Sequence, residues 1–145
     1  MRIAVLNGPN LNLLGQREPE LYGRTSLAEI EGMVRAAAEP LGAEIQWFQT
    51  NHEGEMVEAV QRLRGQAEGA LVNAAALTHS SLALRDALLA VQVPFVELHL
   101  SNIFAREPER RRSMIADLAL GVVTGFGAQS YVLALQALMG RLRAS

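Results

Sequence analysis

The 145-residue chain has no cysteine and no lysine, and all 13 of its basic residues are arginine. Without a thiol or an ε-amine, thiolate catalysis and a lysine Schiff base are both closed to it. A Walker A phosphate loop is excluded too, because its lysine is missing. Any base acting on a carbon acid must then be Tyr, His, Glu or Asp. Long apolar runs are also lacking. Ala116–Val123 and Ala87–Val96 contain charged residues or proline, and both fall well short of the roughly 20 residues needed to cross a bilayer. A net charge of -2 argues against a broad nucleic-acid surface, which would be strongly basic. Only Arg106–Arg112 is locally basic. Strand-like residues begin at Met1-Arg2-Ile3, so no secretory leader is expected. These absences lead us to expect a cytoplasmic protein that binds neither membrane nor nucleic acid.

About half of the residues are apolar (50%), which suits one domain over residues 1–145 with a sizeable core. Apolar runs at Ile3–Leu6, Ala43–Phe48, Gly69–Ala74, Phe95–Leu100 and Leu118–Thr124 predict buried strands. Between them, helical periodicity covers Ser26–Leu41, Glu55–Gln66, Ser81–Val91 and Gln129–Leu142. Ser26 and Glu29 have capping-box spacing, and Gly42 offers a stop. Strands alternating with helices predict an α/β fold: a flavodoxin-like, doubly wound, five-stranded parallel sheet with helices on both faces.

In such a sheet, ligands bind at the carboxyl ends of the strands. Those ends are polar here: Asn7 and Asn10, then Asn51 and His52, then Asn73, Thr78 and His79, then His99, Ser101 and Asn102. All three histidines fall there. Glu97 and His99 lie two apart on a predicted interior strand and so share a face, where the carboxylate can fix one imidazole tautomer. Thr78-His79-Ser80-Ser81 precedes a helix; the hydroxyls suit a cap or an anion site, and capping leaves His79 unexplained. Metal binding is disfavoured, because no HExxH spacing or Cys/His cluster occurs. Gly125-Phe126-Gly127 lacks the GxGxxG pattern, with Ser130 at its third glycine position.

The Gly/Pro-rich segment from Asn7 to Gly23 reads as a loop able to close over a ligand, and it holds Arg17 and Tyr22. Any tyrosine base working near neutral pH must ionise about 3 units below its ordinary value of about 10, a change of roughly 4 kcal/mol. A guanidinium at about 4 Å supplies roughly that at an effective dielectric near 20, and only about 1 kcal/mol in bulk water. The loop is therefore expected to work closed. On the helix after the third strand, Leu84, Leu88 and Val91 form one apolar stripe, while Leu82 and Leu89 form a second beside Asp86. Two stripes call for two partners, one of them the sheet and the other a neighbouring subunit or further core. Two other readings fit the residues: a binding module for a phosphorylated ligand held by Arg106–Arg112, and an assembly protein with a structural polar edge.

The segments NGPNLNLLGQREPELYG, NHEGEMVEAV, LVNAAALTHSSLALRDAL, VELHLSNIFARE and GFGAQSYVLAL together resemble the type II 3-dehydroquinate dehydratases. The resemblance runs from the first strand to the last helix. It implies a cofactor-free, metal-free hydro-lyase that dehydrates 3-dehydroquinate to 3-dehydroshikimate in the shikimate pathway, or in quinate catabolism in some organisms, usually assembled as a homododecamer, a tetramer of trimers. Carried over by motif, Tyr22 is the base, activated by Arg17 and Arg106, and Asn10 holds a water at the enolate oxygen. His99 is the acid, with Glu97 as its partner. Asn73 and the backbone at Leu100 and Ser101 correspond to the carboxylate site, and His79 and Arg110 to hydroxyl contacts. Asp86 corresponds to a residue reaching in from a neighbouring subunit. Phe104 and Ser130 depart from the common pattern, where His and Gly are usual.

Overall fold

Strand β1, Arg2–Asn7, turns Ile3 and Val5 to one face and Ala4 and Leu6 to the other, all of them buried. A strand apolar on both faces needs cover on both, and two separate core clusters provide it. One joins Ile3, Val5, Leu71, Val96 and Leu98 to Ile30 and Val34 of α2 (Leu27–Ala38) and to Tyr131, Leu135 and Leu138 of α5 (Gln129–Ala144). The other joins Ala4, Leu6, Ala70, Val72 and Phe95 to Met56 and Val60 of α3 (Glu53–Gln61) and to Leu84 and Leu88 of α4 (Leu82–Val91). The computed structural model describes residues 1–16 and 18–144.

The remaining strands are β2 (Glu44–Gln49), β3 (Gly69–Asn73), β4 (Phe95–His99) and β5 (Gly121–Thr124). All pair in parallel in the order β2-β1-β3-β4-β5, the flavodoxin-like order expected. From β1 the chain passes to β2 on one side and returns to β3 on the other. The loops leaving β1 and β3 therefore diverge and open a crevice between them. The register sets Asn7 beside Asn73 at the floor of that crevice.

Boundaries differ from the sequence-based expectation where local chemistry competes. The Ser26–Glu29 capping box is present, but α2 ends at Ala38 and a 3₁₀ turn, Glu39–Leu41, carries Pro40 before Gly42 in the left-handed conformation. Proline has no amide hydrogen and cannot continue an α-helix. Helix α3 starts two residues earlier than expected and stops at Gln61. Leu118, expected to open the last strand, instead ends a 3₁₀ turn over Ala116–Leu118, and β5 begins at Gly121. Within the expected loop, Pro19–Tyr22 forms one short helix, α1, with Pro19 in its first turn. No helix among the described residues is long and apolar enough to cross a membrane.

Candidate active site

Seven side chains singled out from the sequence line one cleft at the carboxyl edge of the sheet. Asn10 arrives from the loop after β1, Tyr22 from α1, Asn73 from the end of β3 and His79 from the 3₁₀ segment Ala75–His79 that follows it. His99 closes β4, and Arg106 and Arg110 come from the connection beyond it, with Leu100 and Ser101 alongside. The cleft is open to solvent, and the space between its walls, open mouth included, is about 610 Å³.

The phenol and a guanidinium meet on one side. Arg106 Nη1 donates to Tyr22 Oη at 2.8 Å, and the guanidinium carbon lies 5.2 Å from the ring centroid. The Arg106 side chain is only 12% exposed, so its permanent charge is poorly screened by water. It also reaches Ser101 Oγ at 3.4 Å. Glu107, overlooked in the sequence, ion-pairs with Arg110 and lies 3.9 Å from Arg106 Nε. Arg17 falls outside the described residues.

Across the cleft, His99 Nε2 lies 2.5 Å from Glu97 Oε2, and Glu97 is fully buried. The two-residue spacing on β4 puts both on the α3/α4 face, as expected for a strand between β3 and β5. With Nε2 committed to Glu97, Nδ1 is the ring nitrogen left for the cleft. His79 stacks on His99 at 6.2 Å between centroids. Its Nδ1 lies 2.7 Å from the Arg112 carbonyl, which can only accept, so Nδ1 carries the hydrogen and Nε2 is free to accept. Burial pushes the His79 pKa below its ordinary value, against the pull of that carbonyl and with help from the His99 charge.

Asn10 has φ 69, a left-handed conformation that asparagine tolerates better than most residues. Its amide donates to Asn51 Oδ1 at 2.9 Å, and Gln49 Nε2 holds the same oxygen at 3.2 Å. Asn51 thus acts as a brace for the loop, whereas His52 does not line the cleft. Beneath, the Tyr131 hydroxyl donates to Asn7 Oδ1 at 2.6 Å and accepts from Asn73 Nδ2 at 2.9 Å. One amide hydrogen of Asn73 is thereby spent, leaving the second at the cleft floor. Tyr131 is fully buried, and burial drives its pKa well above the ordinary phenol value. Nothing in the spacing of Asn7, Asn73 and Tyr131 indicates this contact, which depends on how α5 packs.

One sequence expectation needs adjustment. Ser81 alone caps α4, accepting from Leu84 N at 2.9 Å, so the cleft borders the 3₁₀ segment instead of the first turn of that helix. Asp86 does not line the cleft of its own chain. It is exposed on α4, on the face that carries Leu82 and Leu89, exposed by 62% and 47%. Ser130 is buried with its hydroxyl accepting from Phe126 N at 3.0 Å, so the departure from glycine there is accommodated. Phe104 is 59% exposed. Among the described residues, no three His, Asp or Glu gather as a metal ion requires.

A profile of the family described as Dehydroquinase class II matches residues 1–139. The "3-dehydroquinate dehydratase" of Parasynechococcus marenigrum is 58% identical over 143 residues, covering 99% of this chain and 98% of that protein. The "Catabolic 3-dehydroquinase" of Aspergillus clavatus is 52% identical over 134 residues, covering 92% and 89%. Among solved structures, the type II dehydroquinase of Propionibacterium acnes superposes with a TM-score of 0.91 at 35% identity, over 96% of each chain.

Proposed function

The chain belongs to the class II dehydroquinase family of hydro-lyases, and from that premise we propose that it dehydrates 3-dehydroquinate to 3-dehydroshikimate through an enolate. Tyr22, as the phenolate, removes the C2 proton next to the C3 ketone. Arg106 stabilises the phenolate, and Arg17 joins it when the loop is closed. Negative charge then collects on the ketone oxygen, where Asn10 holds a water that donates to it. His99 delivers a proton from Nδ1 to the C1 hydroxyl, the C1–O bond breaks, water leaves and C1=C2 forms. Glu97 balances the imidazolium before that transfer. The scheme calls for no metal and no cofactor.

Substrate orientation falls to the remaining groups. Asn73 and the Leu100–Ser101 backbone receive the carboxylate, while His79 Nε2 accepts from a ring hydroxyl and Arg110 donates to another. We assign the reaction to the shikimate pathway of aromatic amino-acid biosynthesis, in the cytoplasm. The catalytic unit is the single domain of residues 1–145, assembled as a homododecamer in which Asp86 of each chain reaches a neighbour's site.

One observation carries this reading: the Arg106–Tyr22 bond at 2.8 Å faces the same cleft as His99 backed by buried Glu97. A base and an acid are thus each matched to the group that supports its charge. The test is to add 3-dehydroquinate and follow the conjugated enone by ultraviolet absorbance. Absorbance should rise without added metal or cofactor; no rise with correctly folded protein sinks the proposal. Tyr22→Phe should keep the fold and bind substrate while losing about 10²–10⁴ in turnover. Near-normal activity in that variant removes Tyr22 as the base.

A further inference from the structure

The strap from Arg111 to Ile115 follows the basic run and passes behind both cleft histidines. Its Ser113 hydroxyl lies 2.8 Å from Glu97 Oε1, while the same oxygen accepts from Ile115 N at 3.2 Å and Ala116 N at 3.0 Å. Two backbone amides fill the lone pairs of Ser113, so its one hydrogen has to go to Glu97. Oε1 is therefore an acceptor, and Oε2 is turned to His99 Nε2. The strap is anchored independently of this contact. Met114 N donates to the Thr78 carbonyl at 2.8 Å, and Arg85 reaches the Met114 carbonyl at 2.8 Å while pairing with Asp117 through both nitrogens.

We propose that Ser113 is a positioning residue that locks the Glu97 carboxylate in the rotamer holding the Nε2 hydrogen of His99, so that Nδ1 is the nitrogen that faces the substrate. Glu97 lies in an apolar layer between the sheet and helices α3 and α4 and is fully buried. His99 and Ser113 are the only side chains among the described residues that hydrogen-bond to it. A carboxylate with one oxygen unpaired in such a layer pays a desolvation cost and turns to recover a partner. Turning it releases the imidazole to flip or change tautomer. The neighbouring strap residue serves the other histidine, since the Arg112 carbonyl fixes His79 as its Nδ1–H tautomer. Consecutive positions thus present Nδ1 of His99 and Nε2 of His79 to one cleft.

This inference deepens the proposed function and rests on it only for its kinetic arm. Ser113→Ala should lower kcat about 10- to 100-fold, the range for a hydrogen bond to a charged group, with KM within about twofold. Ser113→Thr, which keeps the hydroxyl, should recover most of that loss. Nitrogen-15 imidazole spectra of the free protein give a second readout that needs no turnover. At a pH where the His99 ring is neutral, the parent protein should show a single tautomer with hydrogen on Nε2, and Ser113→Ala a mixture. The His79 signal should stay unchanged and so report an intact strap. If it also changes, Ser113→Cys, of similar shape but a weak donor, decides by the same kcat loss. A variant without the hydroxyl that keeps both the parent kcat and a single His99 tautomer overturns the inference. Absence of turnover in the parent protein counts against the proposed reaction alone, and the spectra still decide the role of Ser113.

Discussion

At the scale of single residues, the cleft works by spending one end of each polar group so that the other end is defined. His79 gives Nδ1 to a carbonyl, His99 gives Nε2 to a carboxylate, and Asn73 gives one amide hydrogen to Tyr131. For His79 this has a consequence for stability. Burial holds its folded pKa below the ordinary 6.5, so the unfolded chain binds the proton more readily. Stability from this group is complete above about pH 6.5 and is lost as pH falls through the folded pKa. Urea unfolding between about pH 5 and 8 should therefore show the free energy decreasing on the acid side, with a smaller decrease in His79→Gln. Equal pH dependence in the two proteins would contradict the assignment of a depressed His79. The Glu97–His99 pair was legible because strand periodicity alone puts positions two apart on one face. Ser113 and Tyr131 were not, since each reaches its partner from a distant part of the chain.

At the scale of elements, the site depends on how closely β1 and β3 run together where their loops part. Gly8 sits at that point, and its amide donates to the Asn73 carbonyl at 2.8 Å. A Cβ built on Gly8 would lie 2.3 Å from the Ala74 carbonyl oxygen, a backbone atom that cannot turn aside. Gly8→Ala should cost about 1–3 kcal/mol or more, and should shift Asn10 relative to Asn73, so that stability and turnover fall together. Gly54→Ala on α3, where a Cβ meets nothing within 4 Å, is the control and should change stability by no more than about 1 kcal/mol. Urea midpoints for the two variants make the comparison, and equal midpoints would refute the crowding argument. The capping box showed where α2 begins because its signal is local. Its end was misjudged by a turn, because Pro40 stops the α-helix before the glycine that closes the segment.

At the scale of the whole molecule, α4 has more apolar surface than one sheet can cover. Leu84, Leu88 and Val91 are buried, while Leu82 and Leu89 stay exposed on the face that carries Asp86. Exposed leucines bracketing a carboxylate suit a subunit contact that also delivers a polar group. Sedimentation should therefore find an oligomer, and Leu82→Glu combined with Leu89→Glu should shift it towards smaller species with weaker substrate binding. Asp86→Ala should weaken substrate affinity in protein that remains assembled. A fully active monomer would remove both the contact and the shared site.

Strand number, helix alternation, a polar carboxyl edge and the Glu97–His99 pair follow from the sequence by itself, because periodicity and neighbouring residue types act over a few positions. The missing lysine and cysteine also decide, without any structure, which catalytic chemistries are closed. Residue spacing pointed to Arg17 and the family resemblance added Arg106, 84 residues from Tyr22; only the tertiary structure bonds that guanidinium to the phenol, joins Asn7 and Asn73 through Tyr131, and brings the Arg112–Ser113 strap behind both histidines. The physical reason is that hydrogen bonds and burial act in space. A partner's direction and its shielding from water are set by how the loops and helices pack over the sheet, and local sequence spacing does not specify that packing.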